Sequence, residues 1–343
     1  MNELFSMLAE AGARNCVLWA DLASGLKAVL VIDDVTLGPA VGGVRTQPYP
    51  SVRDAILDAT QLAQNMTLKC ALAGLDAGGG KVVVIDHAGL QRDEAFERLG
   101  ERIEDLAGVF HTGPDLGTTS ADLAGIARGT RYVDQGEELS QAVARGLLRC
   151  LEACATFRGK PSLEGLSIAI QGCGAIGAAT ARTLASVGAK LVVADVNEDR
   201  AKKVAAEVGA DICDADELLV ADVDIVAPCA VGGVLTVPKA EELKAWAVCG
   251  AANNILAERG VADILKRRGV AHVPDAIASA GAVAEGIGNT VMGLADRTPL
   301  IDGLGKTALE VLEEAKRQDR TPLEVAEARA EARIAAARAK RAR

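Results

Sequence analysis

At 343 residues the chain is long enough for about two domains, each able to bury its own core. Its 37 basic and 47 acidic side chains leave a formal net charge of −10, which repels nucleic-acid phosphates and anionic lipid and excludes both as main partners. Half of the residues are apolar but only 2% are aromatic, so Ala, Val, Leu and Ile must fill the core, as suits the close helix and strand packing of an α/β protein.

No apolar stretch approaches the ~18 residues needed to cross a bilayer, and the first twenty residues, with Glu3, Glu10 and Arg14, carry no cleavable signal pattern. A cytoplasmic location is expected. The eight cysteines form no C-x-x-C pair and sit mostly among apolar neighbours, as reduced, buried thiols do. His87, His111 and His272 are not spaced as metal ligands, so no metal site is expected.

In chain order, a short helical stretch is followed by a strand from Gly25 to Ile32 that ends at Asp33-Asp34. A helix then runs from about Ser51, its cap, to Lys69, and leads through a Gly-rich turn into the strand Val82 to Ile85. Gly108-Val109-Phe110 reads as another strand, and this half as one α/β domain. The polar stretch from Tyr132 to Ala142 leads into a long helix ending near Phe157, and the domain boundary is placed there, between 138 and 139. From Leu166 the order is strand to Gln171, Gly-rich turn, helix Ala178 to Val187, and strand Lys190 to Ala194, with further strands at 225–227 and 247–249, as in βαβ units around a parallel sheet. The chain is helical from about Leu304, with a break at Pro322, and its basic end, including Arg333, Arg338 and Arg341, reads as a solvated helix whose cations favour the helix dipole.

Gln171-Gly172-Cys173-Gly174-Ala175-Ile176-Gly177 is a G-x-G-x-x-G between a strand and a helix. Gly172 permits the tight turn, Gly174 lets backbone approach a pyrophosphate, and Gly177 lets helix and strand pack closely, while the helix N-terminus offers its N–H groups to the anion. Asp195, at the end of the next strand, is placed to accept hydrogen bonds from the adenosine ribose and to repel a 2′-phosphate, which favours NAD over NADP. A glycine turn without ligand, or a flavin site, would share the pattern.

Lys69 and Lys81 flank a segment that contains Gly78-Gly79-Gly80, which strips side chains from the approach so that a ligand or another backbone can come close and places Lys81 at the strand entrance. Two cations near one site would bind a carboxylate and lower each other's pKa into the range useful for proton transfer. Asp115 follows in a turn, where it could cap the next helix or meet an ammonium group. Solvated lysines and a helix cap are the bland alternatives. A lysine for a carboxylate, a lysine for acid–base work, an aspartate for an amine and a nicotinamide for hydride together suit an α-amino acid.

The chain resembles the leucine/phenylalanine/valine dehydrogenases, relatives of glutamate dehydrogenase, nearly end to end. The matching segments are Ala23 to Ala28, Thr36 to Arg45, Met66-Thr67-Leu68-Lys69, Gly78-Gly79-Gly80-Lys81, Thr112-Gly113-Pro114-Asp115, Ala227 to Ala230, and Gly250-Ala251-Ala252-Asn253-Asn254. The resemblance implies an N-terminal α/β substrate, catalytic and oligomerisation domain over 1–138, a doubly wound Rossmann-type NAD domain over 139–290, and a C-terminal helical segment, 291–343, returning to the first domain. It implies reversible conversion of an L-amino acid, NAD⁺ and water to a 2-oxo acid, NADH and ammonia, with the substrate between the domains, and a homo-oligomer. Lys69 is then expected to bind the substrate carboxylate, Lys81 to act as general base or acid on the water that attacks the imine, and Asp115, the second catalytic residue, to hold the amino group and share in proton transfer. Gly42 and Pro114 would offer backbone contacts, and Asn253, alongside Ala230, would position the nicotinamide.

The sequence departs from the family at Val143, which stands in place of a Thr, and at Ser279-Ala280-Gly281-Ala282, which replaces an Asn-Ala-Gly-Gly pattern. The side-chain pocket maps to Val41, Gly113, Val283 and Gly286, where two glycines leave room for a bulky side chain, phenylalanine or tryptophan first, with leucine or valine as the alternative. Two other readings compete: an idle NAD-binding regulator, and an oxidoreductase of hydroxy acids, which would need a catalytic His with a carboxylate partner.

Overall fold

The computed structural model describes residues 2–134 and 139–341, which divide into two compact units. Unit 1 gathers the residues up to 134 with 286–294 and 331–341; unit 2 gathers 139–285 and 295–330. The boundary expected between 138 and 139 abuts residues 135–138, which lie outside the described residues.

Unit 1 runs α1 (Asn2–Ala11), β1 (Asn15–Asp21), β2 (Leu26–Asp34), β3 (Ala40–Val41), β4 (Val44–Gln47), α2 (Val52–Leu72), β5 (Gly78–Ile85), α3 (Arg92–Glu104), β6 (Phe110–His111) and α4 (Ser120–Gly129). Its mixed sheet has the order β1-β2-β5-β3-β6, with β4 also on β5. Alternation along β5 sends Val82 and Val84 to a core with Phe96, Leu99, Phe110 and Leu123, and Val83 to the opposite face against Ala55, Ile56, Ala59 and Ala63 of α2. Lys81 shares the parity of Val83 and therefore enters the sheet on the α2 side. Ser51 caps α2 by accepting from Asp54 N–H at 3.2 Å.

Two expectations change here. The triple glycine is not a turn before a strand but the buried first residues of β5, so Lys81 lies inside the strand rather than at its entrance. Backbone approach explains it. A Cβ on Gly78 would lie 1.7 Å from Asp34 O, one on Gly79 2.2 Å from Ala63 O, and one on Gly80 2.9 Å from the Phe110 ring. Asp115 does not cap α4 either, because Thr119 does so, in a reciprocal box with Asp122.

Unit 2 contains α5 (Leu139–Phe157), β7 (Ser167–Gln171), α6 (Ala175–Ser186), β8 (Lys190–Ala194), α7 (Glu198–Val208), β9 (Asp211–Ile212), β10 (Ile225–Pro228), α8 (Val237–Glu242), β11 (Ala247–Val248), α9 (Val261–Arg267), β12 (Ala271–His272), α10 (Asp275–Ala278), α11 (Gly281–Thr290), α12 (Thr298–Gln318) and α13 (Pro322–Arg341). The last residues of α11 and α13 cluster with unit 1. The sheet order is β12-β11-β10-β7-β8-β9, parallel throughout, so the chain reverses direction across the sheet between β7 and β10. In such sheets ligands bind at the carboxyl ends of the strands where the order reverses.

The segment 291–343 does not return to the first unit as one piece. Arg145 and Arg149 of α5 both bond Asp302, which holds α12 within unit 2. Only from residue 331 does the C-terminal helix join unit 1, and there its arginines are not simply solvated. Arg333 donates to Cys70 O and Ala71 O at the end of α2, and Arg338 pairs with the buried Asp34 at 2.9 Å. Cations satisfying the last carbonyls of a helix are favoured by its dipole, here a neighbouring helix rather than their own. Among the described residues no helix is long and apolar enough to cross a membrane. All eight cysteines are free, and six are buried.

Candidate active site

Lys81 reaches from the interior of β5 to Asp115, and its Nζ makes an ion pair with Asp115 Oδ2; Lys81 is only 6% exposed. Asp115 sits in the turn after β6, where its other oxygen accepts from Leu116 N–H at 2.7 Å. Arg45, on β4, completes the arrangement, with its Nε 3.4 Å from Asp115 Oδ2 and its guanidinium 3.2 Å from Asp58 of α2. Tyr49 donates to Asp58 at 2.5 Å. The line Lys81–Asp115–Arg45–Asp58–Tyr49 thus alternates charge from the strand interior outward, and each buried ion has an opposite neighbour.

Burial pushes the Lys81 ammonium below the usual lysine range; Asp115 opposes that shift and Arg45 adds to it. Burial acts to raise the Asp115 carboxyl, but the Lys81 and Arg45 cations outweigh it and hold Asp115 below its ordinary value. Asp115 is therefore ionised at neutral pH and retains on Lys81 a proton that desolvation works to remove. The sequence assigned the second cation to Lys69, whereas the cation acting on Lys81 here is Arg45. Arg45 lay within a matching segment, yet no spacing rule singles out an arginine on a short strand. Lys69 is buried in the last turn of α2, on the helix whose Ala63 and Thr67 back against Gly79.

Gly42 and Pro114 lie beside this pair. A Cβ on Gly42 would meet Gly80 O at 1.8 Å, and one on Gly43 would meet Pro114 O at 2.4 Å and Asp115 Cβ at 2.9 Å. Gly42 N–H is committed to His111 O, and Gly42 O already accepts from Thr112 Oγ1 at 3.1 Å. What Gly42 and Pro114 can still offer is carbonyl oxygen, which suits a cationic amine.

Val41 is buried on β3. Gly113 and Gly286 belong to unit 1, but the space at Gly286 is not open, because a Cβ there would stand 2.1 Å from Asp134 Oδ2. The expectation that this glycine widens the pocket is corrected accordingly. Val283 falls in unit 2.

In unit 2 the glycine turn follows β7 directly. Gly172 has φ +98°, a left-handed backbone that favours glycine, and a Cβ there would meet Ala230 Cβ at 2.6 Å. A Cβ on Gly177 would stand 1.8 Å from Gly172 O, so α6 packs against the turn without side-chain space. Gly174, at the N-cap of α6, has nothing within 4 Å of its missing Cβ, an open approach to the N–H groups of Ala175, Ile176 and Gly177. Asp195 accepts from Cys173 N–H at 2.7 Å and from Asn197 N–H at 2.8 Å, which fixes its carboxylate beside the turn. These features fit a dinucleotide: an uncovered anion cradle and an immobilised acid for ribose hydroxyls.

Asn253 follows β11, and its carbonyl lies 2.4 Å from where a Gly232 Cβ would be, two positions after Ala230. Ser279, the family departure, donates to Asp275 O at 2.6 Å and reaches Asn253 Oδ1 at 3.4 Å. Val143 is buried, with its Cα 2.8 Å from a Gly281 Cβ position, and so serves packing within unit 2.

Family models match most of the chain. "Glu/Leu/Phe/Val dehydrogenase, dimerisation domain" covers residues 19–132, "Glutamate/Leucine/Phenylalanine/Valine dehydrogenase" covers 193–337, and "D-isomer specific 2-hydroxyacid dehydrogenase, NAD binding domain" covers 132–231. The chain is 35% identical over 343 residues to leucine dehydrogenase of Thermoactinomyces intermedius, spanning 97% of this chain and 93% of that one. It is 36% identical over 289 residues to phenylalanine dehydrogenase of Lysinibacillus sphaericus, spanning 80% of this chain and 76% of that one. The crystal structure of L-tryptophan dehydrogenase from Nostoc punctiforme matches with a TM-score of 0.86 at 32% identity, covering 97% of this chain and 99% of that one.

Proposed function

The chain belongs to the glutamate/leucine/phenylalanine/valine dehydrogenase family, and from that premise we propose how its residues carry out NAD-dependent oxidative deamination of a hydrophobic or aromatic L-amino acid. The reaction takes the amino acid, NAD⁺ and water to a 2-oxo acid, ammonium, NADH and a proton. Gly172, Gly174, Ala175, Ile176, Gly177 and Asp195 would hold NAD⁺, with Ala230 and Asn253 toward its nicotinamide, and the bound cofactor would supply the hydride acceptor.

Lys69 binds the substrate carboxylate. Asp115 and the carbonyls of Gly42 and Pro114 hold the amine, which must lose its charge before the α-carbon can give up hydride. Lys81, neutral once its proton has left through Asp115 or solvent, takes a proton from the water that adds to the imine carbon, and returns one to nitrogen as ammonia leaves. Arg45 acts as a positioning residue: it orients Asp115 and keeps it ionised. The observation that carries this reading is the buried Lys81–Asp115 pair, whose lysine is shifted toward the neutral form.

The similarity to amino acid dehydrogenases spans 97% of the chain, whereas the 2-hydroxyacid match is confined to 132–231, so amine chemistry is favoured over both the hydroxy acid and the idle readings. The description of residues 19–132 as a dimerisation domain, with β1 an edge strand whose Leu18 is exposed, supports a homo-oligomer formed through unit 1. The free cysteines suit a reducing compartment such as the cytoplasm. A screen of the twenty L-amino acids with NAD⁺ and NADP⁺, read as NADH or NADPH absorbance, tests the function. Turnover with NAD⁺ and an ammonium-dependent reverse reaction are expected; binding of NAD⁺ without turnover on any of them would overturn it.

A further inference from the structure

Arg45 stands between two carboxylates but is hydrogen-bonded to one of them. Its guanidinium donates to Asp58 Oδ1 and Oδ2 at 3.2 and 3.3 Å, whereas its Nε, 3.4 Å from Asp115 Oδ2, has no hydrogen-bond partner among the described residues. Asp115 Oδ2 is thereby left to the Lys81 ammonium. Asp58 is fixed in turn by Tyr49, whose hydroxyl donates to Asp58 Oδ2 at 2.5 Å. The Tyr49 ring packs against the buried cluster that contains Ala55, Ile56 and Val83, which aims the hydroxyl.

This line of side chains does not carry a proton away from Lys81, because a guanidinium does not give its proton up in a protein. What it sets is how strongly Lys81 holds its own. Asp115, from the turn after β6, and Asp58, from α2, favour the charged lysine, and Arg45, from β4, opposes it. A guanidinium that closed on Asp115 would compete with Lys81 for the same oxygen. The geometry points to Asp58 and Tyr49 as positioning residues that hold Arg45 off Asp115, leave Asp115 Oδ2 to Lys81, and so govern the proton that Lys81 exchanges during turnover. This rests on the amino acid dehydrogenase reading above and deepens it at the same site.

The test is the pH dependence of kcat/KM with the amino acid that yields most NADH. Asp58→Asn keeps the volume, removes the anion and lets Arg45 settle on Asp115, so the rise of kcat/KM with pH should move down by about one pH unit. Tyr49→Phe keeps the ring and frees Asp58 to draw Arg45 outward, so the rise should move up, by less. Side chains that only supported the fold would lower stability and leave both midpoints in place. A second measurement needs no turnover. Tyr49 and Tyr132 are the two tyrosines, so Tyr132→Phe leaves Tyr49 alone to be followed by ultraviolet absorbance. Burial and the bond to Asp58 hold its phenol above the ordinary tyrosine range, and adding Asp58→Asn should bring its ionisation to lower pH. Midpoints that stay put or move in the same direction, or a Tyr49 ionisation indifferent to Asp58, overturn the positioning role and leave the deamination reading intact. Absence of NADH from every amino acid overturns both.

Discussion

Unit 1 and unit 2 prepare their candidate site residues by opposite means. In unit 1 the proposed chemistry rests on ionisable side chains taken out of water, with Lys81 reaching from β5 to Asp115 in the turn after β6 and Arg45 and Asp58 balancing them. In unit 2 it rests on the absence of side chains: Gly172, Gly174 and Gly177 leave a turn bare, and the carboxylate of Asp195 is fixed by two backbone N–H groups. The first arrangement tunes protonation, which a buried ion pair does because each partner's charge depends on the other. The second fixes shape, as binding a constant phosphate group requires. Substitutions in unit 1 should therefore change rates and pH profiles, and those in unit 2 cofactor affinity.

The largest effect is expected at Lys81. Lys81→Ala should lower kcat by about 10³- to 10⁴-fold with NAD⁺ affinity unchanged, measured by turnover and by fluorescence titration; a weakened cofactor affinity would break the division of labour between the units. Gly177→Ala is its counterpart. The added Cβ collides with Gly172 O, so the Kd for NAD⁺ should rise by about ten- to a hundredfold while kcat at saturation falls far less.

His272 sharpens the comparison because it is a buried titratable group in the unit that otherwise works through backbone. Neither ring nitrogen has a hydrogen-bond partner among the described residues, and burial lowers its pKa from 6.5 to about 4, with Asp275 opposing. The unfolded chain then binds a proton that the folded chain refuses. Stability from this group is complete above about pH 6.5 and is lost as pH falls toward about 4, by about 3 kcal/mol in all. Denaturant unfolding at several pH values should show that slope, and His272→Phe should flatten it.

A smaller effect, of opposite sign at two neighbours, tests the electrostatics of unit 1. The proposed mechanism requires neutral Lys81, so kcat/KM should rise with pH through a value below the ordinary lysine range of about 10.4. Arg45→Met removes a cation and should move that rise to higher pH, with a loss of about tenfold near neutrality, whereas Asp115→Asn removes an anion and should move it lower. Shifts in the same direction would refute the charge network. Smallest of all, Asp195→Ala should narrow the preference for NAD⁺ over NADP⁺ by about tenfold, read as the ratio of kcat/KM values.

The nucleotide turn was legible because its requirements are local. Gly172 needs a left-handed backbone at its own position, Gly177 meets Gly172 O five residues back, and Gly174 opens the N-terminus of its own helix, so their spacing carries the reading, and the strand and helix on either side follow from apolar patterning; only the closeness of Gly172 to Ala230 is a long-range requirement. Lys81 and Asp115 were legible as candidates and through the family's motifs, but their contact joins residues thirty-four positions apart and no spacing rule states it. The triple glycine misled for a related reason. Glycines in a row read as a turn until the neighbours are known, and those neighbours are Asp34 O, Ala63 O and the Phe110 ring, brought in by β2, α2 and β6.

By itself the sequence determined the parallel nucleotide-binding unit, the glycine turn between its first strand and helix and the set of residue types suited to an amino acid, because periodicity and glycine spacing act over short stretches of chain. Only the tertiary structure decided which cation stands beside Lys81, that Thr119 rather than Asp115 caps α4, and that Asp134 fills the space at Gly286. Each of those depends on distance and burial between segments far apart in the chain, and it is burial among specific neighbours that sets the charge of a side chain.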